Sequence, residues 1–70
     1  MPKSIGQLVY VPSLTSMIKY DLHGSPKKVL SLSEPKYLLV KEEEENKLGV
    51  FMNGSIWYVD RRKVYNVESD

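Results

Sequence analysis

Residues 48–67, LGVFMNGSIWYVDRRKVYNV, decide the fold of this chain. Two apolar, strand-like runs flank Asn53 and Gly54, the residue types that best tolerate the positive φ required at both central positions of a two-residue type I′ turn. A second bend, Asp-Arg-Arg-Lys at 60–63, leads into a last short run. The stretch therefore predicts a tight β-hairpin, a turn and one further strand.

The turns also predict which residues face each other. A two-residue loop places Phe51 opposite Ile56. For the preceding hairpin, Asn46 suits the left-handed position of a three-residue loop, which places Leu39 opposite Phe51. Both turns then predict one core face for a three-strand meander, and its members are Leu38, Val40, Leu48, Val50, Met52, Trp57 and Val59.

The opposite face of this meander is unexpectedly apolar. It carries Leu39, Phe51, Ile56 and Tyr58, where a half-solvated antiparallel sheet is normally polar. Two explanations are open. In the first, the side chains are partly buried, because residues 13–26 fold over them or because the sheet curls strongly. In the second, the face is a binding or homodimer surface, because contiguous exposed apolar patches usually mark one.

Residues 13–26 can be interpreted in two ways. Ser13 can cap a short helix whose apolar side chains recur at i, i+3 and i+4 spacing. The segment can equally be an irregular arm of about a dozen residues. The arm, with at most one helical turn, is favoured because Ile18 and Tyr20 are mediocre helix formers.

Length and composition limit the class of protein. Seventy residues form one domain, 1–70, with a small core, and the hydrophobic (41%) and charged (27%) fractions are those of a folded chain. The absence of Cys excludes disulfides and thiolate metal sites, and His23 is a lone histidine. We expect no cofactor and no metal.

Charge and hydropathy give the expected location. The net charge is +1, and the first 41 residues carry six basic and two acidic side chains. The N-terminal region has no apolar run typical of a secretory signal, and no segment approaches transmembrane length. We expect a cytoplasmic protein without a membrane partner.

The order of the elements resembles the SH3-like small-barrel superfamily. A strand ending at Val11 precedes a long first arm, three meander strands, a sharp turn at 60–63 and a final strand at Val64 and Tyr65. The resemblance implies an all-β barrel of five or six short strands, with a 3₁₀ turn before the last one. It also implies a module that binds a protein, a peptide or a nucleic acid and is rarely an enzyme. Small accessory proteins of bacteriophages look similar in size and style.

The sequence departs from the peptide-binding SH3 domains. It has no ALYDY-like stretch near Tyr10 and no paired Trp at the start of a strand. Asp60 replaces the Pro expected in the final turn. These departures argue against binding of Pro-rich peptides.

Aromatic residues point to a protein interface. Five Tyr, one Phe and one Trp are frequent for 70 residues, and aromatics and Arg are the usual interface anchors. The candidate protein-binding residues, which we place together with Tyr10 near the final turn, are Phe51, Ile56, Tyr58, Arg61, Arg62 and Tyr65. We expect a non-catalytic binding module that engages or inhibits another protein, or alternatively a structural homodimer.

Basic residues leave nucleic-acid binding as a further alternative. Tyr58 or Tyr65 could stack on bases while cations contact phosphates. The candidate contacts are Lys27, Lys28, Lys36, Arg61, Arg62 and Lys63. The balanced charge and the glutamate run at 42–45 argue against this interpretation.

Two other clusters carry little chemistry. The glutamates at 42–45 could supply oxygen ligands to a cation, but strand alternation lets only two converge, so a solvated hairpin tip is favoured. Asp21 and His23 resemble a base with its orienting partner, but the chain has no nucleophile-elbow motif. We therefore expect no catalytic residues and no enzyme.

Overall fold

The computed structural model describes residues 5–67 and consists of strands joined by short turns. One 3₁₀ turn, Arg61–Lys63, lies between the last two strands. The strands are β1 (Leu8–Val11), β2 (Ser16–Tyr20), β3 (Pro26–Ser31), β4 (Lys36–Glu43), β5 (Lys47–Met52), β6 (Ser55–Asp60) and β7 (Tyr65–Asn66).

The seven strands of the described part of the chain belong to one antiparallel sheet with the order β3-β2-β6-β5-β4-β1-β7. The all-β class is confirmed, but the sheet has seven strands where the sequence predicted five or six. Within residues 5–67 the edge strands β3 and β7 do not pair with each other, so the sheet is open. Residues 5–67 contain no helix with the length and apolar character needed to cross a membrane.

The β5–β6 hairpin has the predicted turn and register. Asn53 and Gly54 have φ values of 52° and 77°, as a two-residue turn of this type requires. Phe51 lies opposite Ile56, and Val50 lies opposite Trp57. The Asn53-Gly54 sequence was sufficient to predict this hairpin, because a two-residue turn determines which residues of the two strands pair.

The β4–β5 hairpin differs from the prediction. Leu39 lies opposite Phe51 as expected, but Asn46 is not among the residues with positive φ. The register instead shifts between Val40 and Glu42, so that a bulge at Lys41 takes up the extra residue. The predicted left-handed conformation of Asn46 is therefore wrong.

The prediction of an arm or a helical turn at residues 13–26 is also wrong. This segment contains β2, which pairs with β3 along its length and with β6 where Ile18 lies opposite Tyr58. Asp21 makes the turn that follows β2, since its carboxylate accepts the backbone N–H groups of His23 and Ser25, both at 2.9 Å. The segment extends the sheet sideways and does not fold over the apolar face.

The core lies on one face of the sheet. The Trp57 indole N–H donates to the Met52 carbonyl at 3.2 Å, which satisfies the one polar group of this side chain. All seven predicted core residues are buried. Among residues 5–67 the buried apolar cluster is Val9, Val11, Met17, Leu32, Leu38, Val40, Leu48, Val50, Met52, Trp57, Val59 and Val64.

Candidate protein-binding surface

The face of the sheet opposite the core carries an apolar surface across five strands. In one row, Leu8 of β1 lies opposite Leu39 of β4, which lies opposite Phe51 of β5, and Phe51 lies opposite Ile56 of β6. A second row runs from Tyr65 of β7 to Tyr10 of β1 and Tyr37 of β4. We call these two rows the apolar face: Leu8, Tyr10, Tyr37, Leu39, Phe51, Ile56 and Tyr65.

Much of the apolar face is open to solvent. The exposed fractions are 49% for Leu8, 63% for Tyr37, 37% for Leu39, 46% for Phe51 and 58% for Tyr65. Taking about 200 Å² for each large side chain, these five leave roughly 500 Å² uncovered. That area lies in the upper part of the range of about 300–600 Å² for the largest patch on a typical monomer, and such patches are often functional.

The three tyrosines of the second row form a ladder. The Tyr10 ring lies 5.4 Å from Tyr37 with an interplanar angle of 57°, and 6.4 Å from Tyr65 with an angle of 40°. Tilted aromatic pairs at these separations attract each other and restrict each ring. The rings are therefore held in place by their neighbours before any partner arrives.

Tyr58 lies on the same side of the sheet as the apolar face, and its ring lies next to Gly49. Its hydroxyl donates to the Glu42 carboxylate two strands away. Gly49 lies between them in β5, and a Cβ there would be 3.1 Å from a Tyr58 ring carbon and 3.0 Å from Ile56 Cγ2. A Cβ at position 49 would therefore require Ile56 and the Tyr58 ring to shift by a few tenths of an ångström.

The contact with Glu42 changes the acidity of Tyr58. The hydrogen bond to the carboxylate is the main cause, and burial adds to it; together they raise the pKa of Tyr58 to about 12. Ionisation of the phenol would break the bond and place two negative charges side by side. Tyr58 is therefore a fixed, neutral phenol at physiological pH.

Lys47 connects Tyr58 to a second ring. Its ammonium group lies 4.6 Å from the centre of the Tyr20 ring and 5.4 Å from that of Tyr58, within the range of cation–π attraction. Tyr20 and Tyr58 themselves meet edge to face at 5.4 Å. The two rings and the ammonium group line a groove of about 220 Å³ between β2 and β6.

The structure divides the predicted binding residues into separate groups. Phe51, Ile56 and Tyr65 belong to the apolar face. Tyr58 lies in the next row, and β5, β4 and β1 separate its strand from that of Tyr65. The predicted single surface near the final turn is thus spread over most of the sheet.

The two arginines have different environments. The Arg61 guanidinium pairs with the Glu43 carboxylate and donates to the Glu44 carbonyl at 2.6 Å, so it joins the 3₁₀ turn to the β4–β5 loop. The Arg62 side chain is exposed, and its Nε lies 3.5 Å from the Asp60 carboxylate. Asp60 caps the 3₁₀ turn, since its carboxylate accepts a hydrogen bond from the backbone N–H of Arg62. This hydrogen bond lowers the pKa of the Asp60 carboxyl.

The lysines of the nucleic-acid alternative lie on different elements. Lys27 and Lys28 are on the edge strand β3, and Lys36 begins β4, with β2, β6 and β5 between these strands in the sheet. Lys63 ends the 3₁₀ turn. Their positions do not build one basic strip next to an exposed ring.

Sequence reasoning missed four residues of this surface. Leu8 and Tyr37 lie on the same side of their strands as Leu39, and strand alternation along 36–43 could have found Tyr37. Tyr20 and Lys47 could not be found, because their proximity depends on the pairing of β2 with β6.

The other clusters identified in the sequence have structural roles. Asp21 is occupied by backbone N–H groups of its own turn, including that of His23. No group of three or more potential metal ligands occurs in the part of the chain that the structure describes.

Comparison with protein-family models, with curated proteins and with solved structures finds no significant match.

Proposed function

We propose that this chain is a small SH3-like barrel domain that works as a non-catalytic binding module for another protein. The observation that carries the proposal is the apolar face, which crosses five adjacent strands and leaves large side chains in water. The order of the elements and the 3₁₀ turn before the last strand support the family resemblance. The place of action we propose is the cytoplasm.

The size of the apolar face fits a protein partner. A standard protein–protein interface buries about 800 Å² on each partner, and its centre is apolar while its rim is polar. The five most exposed side chains of the face, with roughly 500 Å² uncovered, supply more than half of that area. Backbone and polar atoms around them, such as those near Lys36 and Asn53, complete a rim.

The composition of the face also fits a protein partner. Tyrosine and phenylalanine are typical anchors because they offer large contact areas at a low cost in side-chain entropy. Tyr10, Tyr37 and Tyr65 are already ordered by ring contacts, which reduces that cost further. Their hydroxyl groups keep the uncovered surface compatible with water.

Charge favours a protein over a nucleic acid as the partner. The apolar face contains no cationic side chain, whereas phosphate contacts supply most of the affinity for nucleic acids. Of the basic residues close to the 3₁₀ turn, Arg61 is already paired with Glu43. The glutamates of the β4–β5 loop would repel a phosphate backbone that approached it.

Capture of a partner by matched variants tests the proposal. Phe51→Ala removes an anchor at the centre of the face, and Leu22→Ala is the control, because Leu22 is a fully exposed apolar residue in the β2–β3 turn. Wild type and Leu22→Ala immobilised at equal density should retain a protein from host extract that Phe51→Ala loses. Retention is measured at a temperature at which thermal melting shows all three proteins to be folded, and Phe51→Ala should melt below the other two because about half of its side chain is buried.

Three results would overturn the proposal. Identical retention by Phe51→Ala and wild type would show that the face makes no contact with the partner. A doubled mass in light scattering that reverts to the monomer in Phe51→Ala would replace the other protein by a second copy of this chain. A gel shift of DNA or RNA that weakens steeply with salt would favour the nucleic-acid alternative.

A further inference from the structure

The turn between β1 and β2 contains a residue in a conformation that its type disfavours. Leu14 has a φ of 68°, in the left-handed region where the Cβ of an L-residue crowds the following carbonyl oxygen. Glycine and asparagine tolerate this region, whereas a bulky side chain there is an outlier. In residues 5–67 the other positions with positive φ follow this rule, and they are Gly6, Gly24, Asn53 and Gly54.

The fold imposes this conformation on the backbone of Leu14. Its N–H donates to the Leu32 carbonyl at 2.8 Å, and the Leu32 N–H donates to the Thr15 carbonyl at 3.2 Å. Thr15 and Leu32 are both buried, as is Val11 at the end of β1. The turn is therefore held on both sides, and the surrounding structure keeps Leu14 in the left-handed region.

The side chain of Leu14 contributes little to the stability of the fold. It is 80% exposed, so folding gains almost no burial free energy from it. Asparagine or glycine would allow the same backbone conformation with less strain, as at Asn53 and Gly54. Folding therefore does not explain a leucine at this position. Strained residues that their surroundings hold in place cluster at active sites and ligand-binding sites.

The chemistry of the Leu14 side chain limits what it can contact. An isobutyl group carries no charge and neither donates nor accepts a hydrogen bond, so it does not bind a metal ion or a phosphate. It gains free energy only by leaving water. The burial of one leucine is worth less than the binding free energy of even a millimolar complex, so Leu14 requires a larger interface around it.

The apolar face can be part of that larger interface. Tyr10 belongs to the face, and Leu14 follows it by four residues, so their Cα atoms are at most about 15 Å apart. A round interface of about 800 Å² on one partner measures about 30 Å across. One protein of ordinary size can therefore contact both the apolar face and Leu14.

We propose that Leu14 is a contact residue for the partner protein and that its side chain inserts into an apolar pocket on that partner. This inference rests on the proposed function, because the apolar face supplies most of the contact area. The strain at Leu14 is stability that the domain gives up to present an apolar side chain on a rigid turn. Because the turn is already held in the free domain, binding requires little ordering of its backbone.

Three substitutions separate binding from strain. Leu14→Asn removes the apolar side chain and is better tolerated in the left-handed region. Leu14→Met keeps an apolar side chain of similar size and also keeps the strain. Leu22→Asn makes the same chemical change as Leu14→Asn at a fully exposed leucine whose φ is not positive.

Urea unfolding followed by Trp57 fluorescence measures the strain. Leu14→Asn should raise the unfolding midpoint at constant slope and increase the folding equilibrium constant roughly threefold, because the left-handed region costs asparagine less than leucine. Leu14→Met and Leu22→Asn should unfold like wild type. A midpoint for Leu14→Asn at or below that of wild type would show that the leucine is not strained, and it would overturn the inference.

Surface plasmon resonance measures the contact. The protein that wild type retains from host extract and Phe51→Ala loses is purified and titrated against each immobilised variant. Leu14→Asn should weaken its affinity roughly tenfold, since burial of one leucine side chain is worth at least that factor. Leu14→Met and Leu22→Asn should bind like wild type. A loss of affinity in a variant with increased stability cannot result from partial unfolding.

Three further results would overturn the inference. Equal affinity of Leu14→Asn and wild type would show that the side chain does not contact the partner, and the proposed function would stand because Phe51→Ala still loses the protein. A mass in light scattering that rises with concentration for wild type but not for Leu14→Asn would show that a second copy of this chain receives the leucine. Absence of any protein whose retention depends on Phe51 would refute the proposed function and, with it, this inference.

Discussion

Leu38 and Leu39 are adjacent residues of one type on opposite faces of β4, and they provide a controlled test of the fold. Leu38 is 9% exposed and belongs to the core, whereas Leu39 is 37% exposed on the apolar face. Replacement by Ala removes three carbons from each, worth about 0.8 kcal/mol per carbon if fully buried. The same chemical change should therefore have two different costs.

The expected costs follow from burial and from the cavity. For Leu38→Ala the transfer loss is about 2 kcal/mol, and a closed cavity raises the total to about 3 kcal/mol. For Leu39→Ala the loss is about 1.5 kcal/mol, with no closed cavity because the face is open to water. The difference of about 1.5 kcal/mol is about tenfold in the folding equilibrium.

Urea unfolding followed by Trp57 fluorescence measures both variants, since the indole is buried in the core and is retained in each. A domain of this size has a stability of about 3–5 kcal/mol, so Leu38→Ala should lack a complete folded baseline at 25 °C. Leu39→Ala should keep one. Equal costs, or a larger cost for Leu39→Ala, would refute the assignment of inner and outer faces.

Two further predictions concern the contact of Tyr58 with its neighbours. In a spectrophotometric titration, Tyr58→Phe should remove an ionisation near the raised pKa of about 12, and Glu42→Gln should shift it toward the ordinary phenol value of about 10. Because the pKa of Tyr58 is raised in the folded state, the contribution of its hydrogen bond with Glu42 to stability is complete below about pH 10 and is lost as the pH rises toward 12. If Tyr58→Phe instead removes a phenol ionisation near pH 10, the prediction is contradicted. Gly49→Ala should destabilise the domain by about 1–3 kcal/mol in urea unfolding, because the new Cβ meets Tyr58 and Ile56. Combined with Tyr58→Ala it should cost less than the sum of the single changes, and strict additivity would show that the two residues do not interact.

The sequence was sufficient where one turn determines the pairing. Asn53 and Gly54 both have the positive φ that a two-residue loop needs, and the register from Phe51 to Ile56 follows directly. Asn46 likewise predicted a turn residue with positive φ, but it does not have one in the structure. The bulge at Lys41 absorbed the extra residue, and either solution keeps Val40 in the core. A choice between two such solutions depends on the whole sheet and not on the loop.

Strand β2 shows the other limit. Met17 faces the core while Ile18 and Tyr20 lie on the outer side, so the strand is apolar on both faces and lacks the alternation that identifies a half-buried strand. Its helical spacing was a coincidence of this two-sided composition. The decisive information is the pairing of Ile18 with Tyr58, 40 residues later in the chain.

The same long-range pairing explains why part of the candidate surface was not predictable. Alternation along β4, β5 and β6 placed Leu39, Phe51 and Ile56 on one side, and this required only hairpins between consecutive strands. Whether that side was covered depended on where residues 13–26 went. Once β2 joined the edge of β6, it left the apolar face open and brought Tyr20 against Tyr58. The pairing of β2 with β6 therefore left the surface proposed to hold a partner exposed and placed Tyr20 beside Tyr58.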